Sequence, residues 1–303
     1  MKLLVIGGNG FLGSSLVEAL RKAGHAVRVL DRTPARRDVD WAGTEYLLGG
    51  LEDAGTLESA LEGIEGVFHL ASSTVPGTSN RDPVFDVESN LVGALRLIEA
   101  MQRAGTRRIV YFSSGGTVYG NPDASPVRED HPLRPISSYG VVKVAIENYL
   151  MMYWRLGLLD PLVLRPSNPY GPRQSTSGVQ GAIAAFLGRA LSGEGVSIWG
   201  DGTIVRDYLY IEDLVAAAVA AMTSGECGVL NVGSGAGHSL NEVCELIRDV
   251  TGRDLPVQYL PGRDFDVSRI VLDIDAATSR LGWLPRVPLR EGIVRTWSAF
   301  IHS

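Results

Sequence analysis

Lys2-Leu3-Leu4-Val5-Ile6-Gly7-Gly8-Asn9-Gly10-Phe11-Leu12-Gly13 decides the fold. The apolar run before Gly7 suits a strand buried on both faces, as in a parallel sheet. After the glycines, Leu12, Leu16, Ala19, Leu20 and Ala23 lie on one side of a helix. A strand running through a glycine turn into a helix is the setting of a dinucleotide fingerprint. The glycines permit the tight turn and close approach of backbone to a pyrophosphate, and the first N–H groups of the helix face its charge. A second apolar run, residues 26–30, ends at Asp31, about 20 residues beyond the fingerprint, where an acid bonds the adenosine ribose hydroxyls. Asp31 favours NAD, since its carboxylate repels a 2′-phosphate. Arg32, Arg36 and Arg37 could offer that phosphate countercharge and leave NADP open.

Outward from this turn, strand patterns fall near 2–6, 26–30, 44–48, 66–70, 107–113 and 161–165, and helical ones near 11–24, 55–62, 83–104 and 138–157. The alternation predicts an α/β fold, a Rossmann-type doubly wound parallel sheet with helices on both faces. Past Arg165 the texture changes to Gly, Pro, Ser and shorter elements. We therefore expect a dinucleotide-binding domain over 1–165 and a smaller C-terminal α/β substrate-binding lobe over 166–303, with the Ala-rich helix 211–223 returning to the first. Ser137 or Ser138 is the expected N-cap of the helix that follows it.

Composition narrows the class. With 303 residues, 45% apolar and 20% charged, the chain can bury a large core. Its net charge of −6, without a basic block, argues against a nucleic-acid partner. No apolar run approaches membrane-spanning length, and the N-terminus enters a core strand with no cationic leader, so a cytoplasmic location is expected. Cys227 and Cys244 form no Cys-x-x-Cys pair and read as free thiols. His25, His69, His131, His238 and His302 lack metal-ligand spacing, so no metal is expected.

Tyr139 and Lys143 are four residues apart in a helical stretch, so their side chains share a face. An ammonium beside a phenol favours the phenolate, which can move a proton near neutral pH. Alone, the spacing equally fits an exposed pair on a surface helix.

Together, Gly-x-x-Gly-x-x-Gly and Tyr139-x-x-x-Lys143 resemble the extended short-chain dehydrogenase/reductase superfamily, and more narrowly the NAD-dependent epimerase/dehydratase family that acts on nucleotide sugars. Further ordered motifs match it: His69-Leu70-Ala71, Glu88-Ser89-Asn90-Leu91-Val92-Gly93, Ser113-Ser114-Gly115-Gly116-Thr117-Val118-Tyr119-Gly120, Arg165-Pro166-Ser167-Asn168-Pro169-Tyr170-Gly171-Pro172-Arg173-Gln174, Arg206-Asp207-Tyr208 and Asn231-Val232-Gly233. The resemblance implies NAD on Gly7, Gly10, Phe11, Leu12, Gly13, Asp31, Arg32, Leu51, Leu70, Ala71, Asn90, Ser113, Tyr139, Lys143 and Pro166. It implies that Tyr139 takes a sugar hydroxyl proton while Lys143 holds the nicotinamide ribose. Ser114, Asn168, Arg206, Arg263 and Asp266 would hold a nucleotide-sugar substrate, with the arginines on its phosphates.

Three departures qualify that likeness. Gly115 stands where the family carries a catalytic Ser or Thr, so Ser114 or Thr117 is expected to supply the hydroxyl. The gap should enlarge the space beside the reacting carbon, admit a bulkier or 2-substituted hexose and tolerate Gly115→Ser. Gly116 and Thr117 replace the Asp-Glu pair of family dehydratases, and the Glu of decarboxylases, which disfavours both reactions. Gly50 replaces an Asp used on the adenine, while Asp53 remains. The expected activity is thus a UDP-hexose 4-epimerase with tightly bound NAD, serving polysaccharide biosynthesis. The alternatives are a reductase of a nucleotide-linked 4-keto sugar and a non-catalytic nucleotide sensor. Family habit also implies a homodimer, through Leu91, Leu95, Ile98, Tyr149, Met152 and Tyr153.

Overall fold

The computed structural model describes residues 1–176, 181–262 and 267–302. Strand β1 (Lys2–Ile6) feeds two cores at once. Leu3 and Val5 pack with Leu16, Val17 and Leu20 of α1 (Phe11–Lys22), whereas Leu4 and Ile6 face the opposite cluster, with Leu57, Leu97 and Met101. This double burial explains a continuous rather than alternating apolar run. Each fully buried leucine there contributes roughly 1.5–3 kcal/mol.

The chain continues through β2 (Ala26–Asp31), β3 (Thr44–Leu48), α2 (Ala54–Leu61), β4 (Gly66–His69) and α3 (Pro76–Ser79). Next, α4 (Pro83–Asp86) passes through a π-helical turn, Val87–Val92, into α5 (Gly93–Ala104). The helix expected over 83–104 therefore carries a wider turn, a feature frequent at functional sites, and Asn90 on it is buried. Then come β5 (Arg108–Phe112), α6 (Ser138–Arg155), β6 (Asp160–Pro166), β7 (Asn168–Tyr170), α7 (Ala182–Ser192), β8 (Val196–Trp199), β9 (Val205–Tyr210) and α8 (Ile211–Thr223). The last are β10 (Gly228–Val232), β11 (Gly237–Ser239), α9 (Leu240–Thr251), β12 (Val257–Leu260), β13 (Arg269–Ile270), α10 (Asp275–Leu281) and α11 (Leu289–Ile301).

Seven parallel strands form the main sheet in the order β10-β6-β5-β4-β1-β2-β3. The chain moves outward from β1 to β3, then crosses back to β4 and runs the other way. That reversal opens a crevice at the carboxyl ends of β1 and β4, the place where such sheets bind ligands. Helix α8 packs on α1, β5 and β6, and β10 extends the sheet beside β6. The remaining C-terminal elements form a lobe in which β9 pairs with β7, β11 and β13, while β8 pairs with β12. A small apolar cluster of Val118, Tyr119, Val127, Ile270 and Leu272 fastens this lobe to the loop after β5. Among the described residues, no helix is long and apolar enough to cross a membrane, and no acidic, His or Cys cluster is arranged to hold a metal.

Candidate active site

Two adjoining clefts open along the carboxyl ends of the sheet, and they share Gly7, Gly10, Leu70 and Ser72. Asp31, Arg32, Leu51, Ala71 and Asn90 line the first. Phe11, Leu12, Gly13, Ser113, Ser114, Thr117, Tyr139, Lys143, Pro166 and Asn168 line the second. Every residue that the sequence assigned to the cofactor thus borders one of them. A third cavity continues from Asn168 past Arg206, Trp199, Tyr208 and Phe186.

The turn fits a dinucleotide because only bare backbone can form it. Gly7 has φ +83°, and a Cβ there would come within 2.8 Å of the Ala71 backbone. At Gly13 a Cβ would run into the Gly7 carbonyl. Gly10 precedes α1 with no side-chain cap, leaving the first-turn N–H groups to an anionic guest. Asp31 is fixed at the rim: one carboxylate oxygen accepts from the Asn9 N–H (3.0 Å), the other from the Thr33 N–H and hydroxyl (3.0 and 2.8 Å). Of the three arginines weighed for a 2′-phosphate, only Arg32 lines the cleft, donating to the Ser73 hydroxyl. Arg36 is paired with Asp38 at 2.6 Å.

At the far end of this cleft the structure changes one assignment. Asp53 does not face the cleft; it caps α2, accepting from the Thr56 N–H at 3.1 Å. Glu52, which sequence reasoning passed over, lines the cleft instead and folds its carboxylate over Gly50 into the volume a side chain there would fill. The only signal for it was an acid two residues beyond the missing one.

On α6, Ser137 accepts from the Gly140 N–H (3.2 Å) as N-cap, and Tyr139, Lys143 and Glu147 follow at one-turn intervals. The Lys143 ammonium donates to the Phe112 carbonyl at 2.8 Å and lies 5.3 Å from the Tyr139 ring centre and 4.9 Å from that of Tyr111. Ser114 lines the same cleft as the Tyr139 phenol and works to lower its pKa. Burial pushes that phenol up to about 12; the Asp86 carboxylate adds to the rise and the Ser114 hydroxyl opposes it. Burial likewise draws Lys143 down to about 8, against the pull of Glu147 and Asp86. Burial therefore works against the phenolate that the spacing alone implied near neutral pH. Thr117 Oγ1 and Gln174 Oε1 are buried without a protein partner and belong to residues that line the second cleft, as atoms awaiting a polar ligand do.

Gly115 corrects a second expectation. Its Cα faces the C-terminal lobe: a Cβ would lie 2.5 Å from Leu272 Cδ1 and 3.0 Å from the Arg165 carbonyl oxygen. The glycine opens no room beside the reacting carbon; its missing side chain is replaced by Leu272, and Gly115→Ser would collide with it. The premise for a roomier sugar site is removed with it.

Beneath the site lies a buried polar network that the sequence did not reveal. Arg165 Nη2 and Glu147 Oε2 are 2.6 Å apart with both side chains 4% exposed. The Ser113 hydroxyl donates to the same carboxylate. Arg165 also donates to the Tyr119 hydroxyl (2.8 Å), which donates to Asn231 Oδ1 (2.6 Å). One ion pair thus ties α6, β5, β6 and β10 together directly under Ser114, Tyr139 and Pro166.

Asn168 is oriented by donating to the Asp207 carbonyl (2.9 Å), and it borders both the second cleft and the third cavity. Arg206 lines the third cavity. Arg263 and Asp266 lie outside the described residues.

Comparison with known proteins agrees with this geometry. Residues 3–233 match the NAD dependent epimerase/dehydratase family. A UDP-glucose 4-epimerase of Mycolicibacterium smegmatis is 39% identical over 99% of this chain and 98% of its own. The UDP-glucose 4-epimerase of Thermotoga maritima, solved with UDP-glucose, superposes with a TM-score of 0.95 at 37% identity, covering 100% of this chain and 99% of that one. That of Thermus thermophilus, solved with NAD, gives 0.94 at 36% identity with both chains fully covered, 100% and 100%. With its glycine turn, its Tyr–Lys helix and most of its length matched, the chain belongs to the NAD-dependent epimerase/dehydratase family.

Proposed function

We propose that this protein is a UDP-hexose 4-epimerase that uses tightly bound NAD. The meeting of Ser114, Tyr139 and Lys143 where the dinucleotide cleft opens toward the Asn168–Arg206 cavity carries this assignment. The Gly7–Gly13 turn and Asp31 would hold NAD, which would supply reversible hydride acceptance from the sugar carbon and a positive ring charge to offset the burial of the phenol. Tyr139 takes the proton of the sugar 4-hydroxyl as that carbon is oxidised to a ketone, and gives it back after the sugar has presented its other face. Ser114, in the same cleft as the phenol, steadies the same oxygen, and Lys143 keeps a positive charge beside it. Gly116 and Thr117 offer no ionisable group for dehydration or decarboxylation at that position.

In this assignment residues 1–165 with helix 211–223 hold the dinucleotide, and the rest of 166–303 holds the sugar nucleotide. Arg206 and Asn168, with Arg263 and Asp266, bind the diphosphate and its neighbours. A homodimer fits the exposed apolar side chains on adjoining helices: Val84 and Phe85 on α4, Val87 at the start of the π-helical turn, and Val141, Tyr149 and Met152 on α6. Ile98, expected at that surface, is 1% exposed and belongs to the core instead. The free Cys227 and Cys244 fit a reducing compartment such as the cytoplasm, where polysaccharide precursors would be interconverted.

Incubation of the purified protein with UDP-glucose should yield UDP-galactose without added cofactor, and denaturation should release NAD. No interconversion with NAD saturating, together with oxidation of added NADPH by a nucleotide-linked 4-keto sugar, would establish the reductase instead. Sedimentation at micromolar concentration should show a dimer.

A further inference from the structure

We propose that Glu52, on the loop between β3 and α2, reads the base of the dinucleotide by accepting from the 6-amino group of adenine. That role rests on the dinucleotide in the cleft and not on the sugar chemistry.

The second cleft carries Tyr139 and Lys143 and so takes the nicotinamide end; the first, which meets it at Gly7 and Gly10, is left for the adenosine end. There Asp31 stands ready for the ribose, and its carbonyl accepts from the Gly49 N–H at 2.8 Å. That bond ties the loop after β3 to the ribose acid. At the other end of the loop Asp53 is fixed as the N-cap of α2. Between these anchors Leu51 and Glu52 border the cleft, which Asn90 of the π-helical turn and Arg96 of α5 also line. Leu51 packs over Gly93 of α5, where a Cβ would come 3.2 Å from its Cδ1, and offers the base an apolar wall.

Position 52 matters because position 50 has no side chain. A Cβ on Gly50 would lie against both carboxylate oxygens of Glu52 and 2.5 Å from its Cδ. The carboxylate thus occupies the place where a side chain at position 50 would start. Among the described residues, no hydrogen bond or ion pair engages it. The side-chain oxygens of its neighbours in the cleft are already in use. Those of Asp31 accept from Asn9 and Thr33, that of Asn9 from the Arg36 N–H (2.9 Å), and that of Asn90 from the Ser73 N–H (2.8 Å). Arg96 has only donors. Glu88, on the π-helical turn, is the other acid bordering the cleft, and substitution separates it from Glu52. Adenine presents a donor at its 6-position, whereas a 6-oxo purine presents an acceptor there. A carboxylate, which only accepts, matches the first and repels the second.

The test equilibrates the purified protein with an equimolar excess of NAD and nicotinamide hypoxanthine dinucleotide, whose 6-amino group is replaced by oxygen. The dinucleotides released on denaturation are then separated and quantified. The unaltered protein should retain NAD over the 6-oxo analogue by about tenfold, the worth of one hydrogen bond at a site open to solvent. Glu52→Ala should bring the two to parity. Adding Gly50→Asp to Glu52→Ala should restore the preference, since the new side chain starts where the lost carboxylate stood and Gly50 has no positive φ to strain. Mere loosening of the loop would weaken both dinucleotides alike and leave their ratio unchanged. Parity in the unaltered protein, a ratio unmoved by Glu52→Ala, or no recovery with Gly50→Asp overturns the proposal, as does a collapse with Glu88→Ala instead. The ratio needs no sugar, so a protein that discriminates the bases yet leaves UDP-glucose unchanged would break the epimerase assignment alone.

Discussion

The dinucleotide cleft and the catalytic face touch at Gly10 and Leu70 but are built in opposite ways. The cleft is made of backbone: a glycine turn, an uncapped helix start and an acid held by neighbours within about two dozen residues in sequence. The catalytic face is made of side chains brought from far apart. Glu147 meets Arg165 across 18 positions, Ser113 across 34, and Tyr119 meets Asn231 across 112. Local geometry is robust to distant change, whereas a face assembled from buried charges depends on each partner staying in place.

The sharpest way to separate the two regions is Tyr139→Phe. Turnover should fall roughly 10²–10⁴-fold, the contribution of a positioned proton-transfer group, while NAD stays bound. Retained activity on the true substrate would move the acid/base role elsewhere. Glu147→Ala attacks the scaffold under the same face. It leaves the Arg165 charge buried and unpaired, and should cost about 3–5 kcal/mol in urea unfolding, with the glycine turn intact.

Ser114→Ala should slow turnover by roughly 10²-fold, the low end for such a group, and Thr117→Ala by less, since of the two hydroxyls only that of Ser114 acts on the Tyr139 phenol. Equal losses in steady-state rate would place Thr117 beside it. Gly115→Ser probes the join between face and lobe: its side chain meets Leu272, so stability should drop by about 1–3 kcal/mol, and Leu272→Ala in the same chain should restore part of it. The smallest effect belongs to the cleft. Asp31→Ala should narrow the preference for NAD over NADP by about tenfold, the ~1.4 kcal/mol of one modest charge contact, in parallel cofactor titrations. If NADP is already preferred in the unaltered protein, Arg32 outweighs Asp31.

The fold was largely legible from periodicity. The runs at 2–6 and 44–48 fall on the observed strands, and the helix at 138–157 ends within two residues of α6. Where sequence and structure parted, a tertiary contact decided. The π-helical turn at Val87–Val92 leaves no mark on apolar spacing, and strand 228–232 joins the main sheet because β6 offered a free edge.

By itself, the sequence determined the dinucleotide turn, the acid after β2, and the Tyr–Lys pair on one helix face, because each depends on neighbours within a turn or a strand. Tertiary structure alone decided that Gly115 faces Leu272 rather than substrate, that Ser114 shares a cleft with the phenol, and that Glu52 rather than Asp53 borders the dinucleotide cleft. It also decided that burial would raise Tyr139 to about 12, with Asp86 adding to it. Side-chain direction and desolvation depend on what packs opposite, and no local spacing encodes the opposite wall.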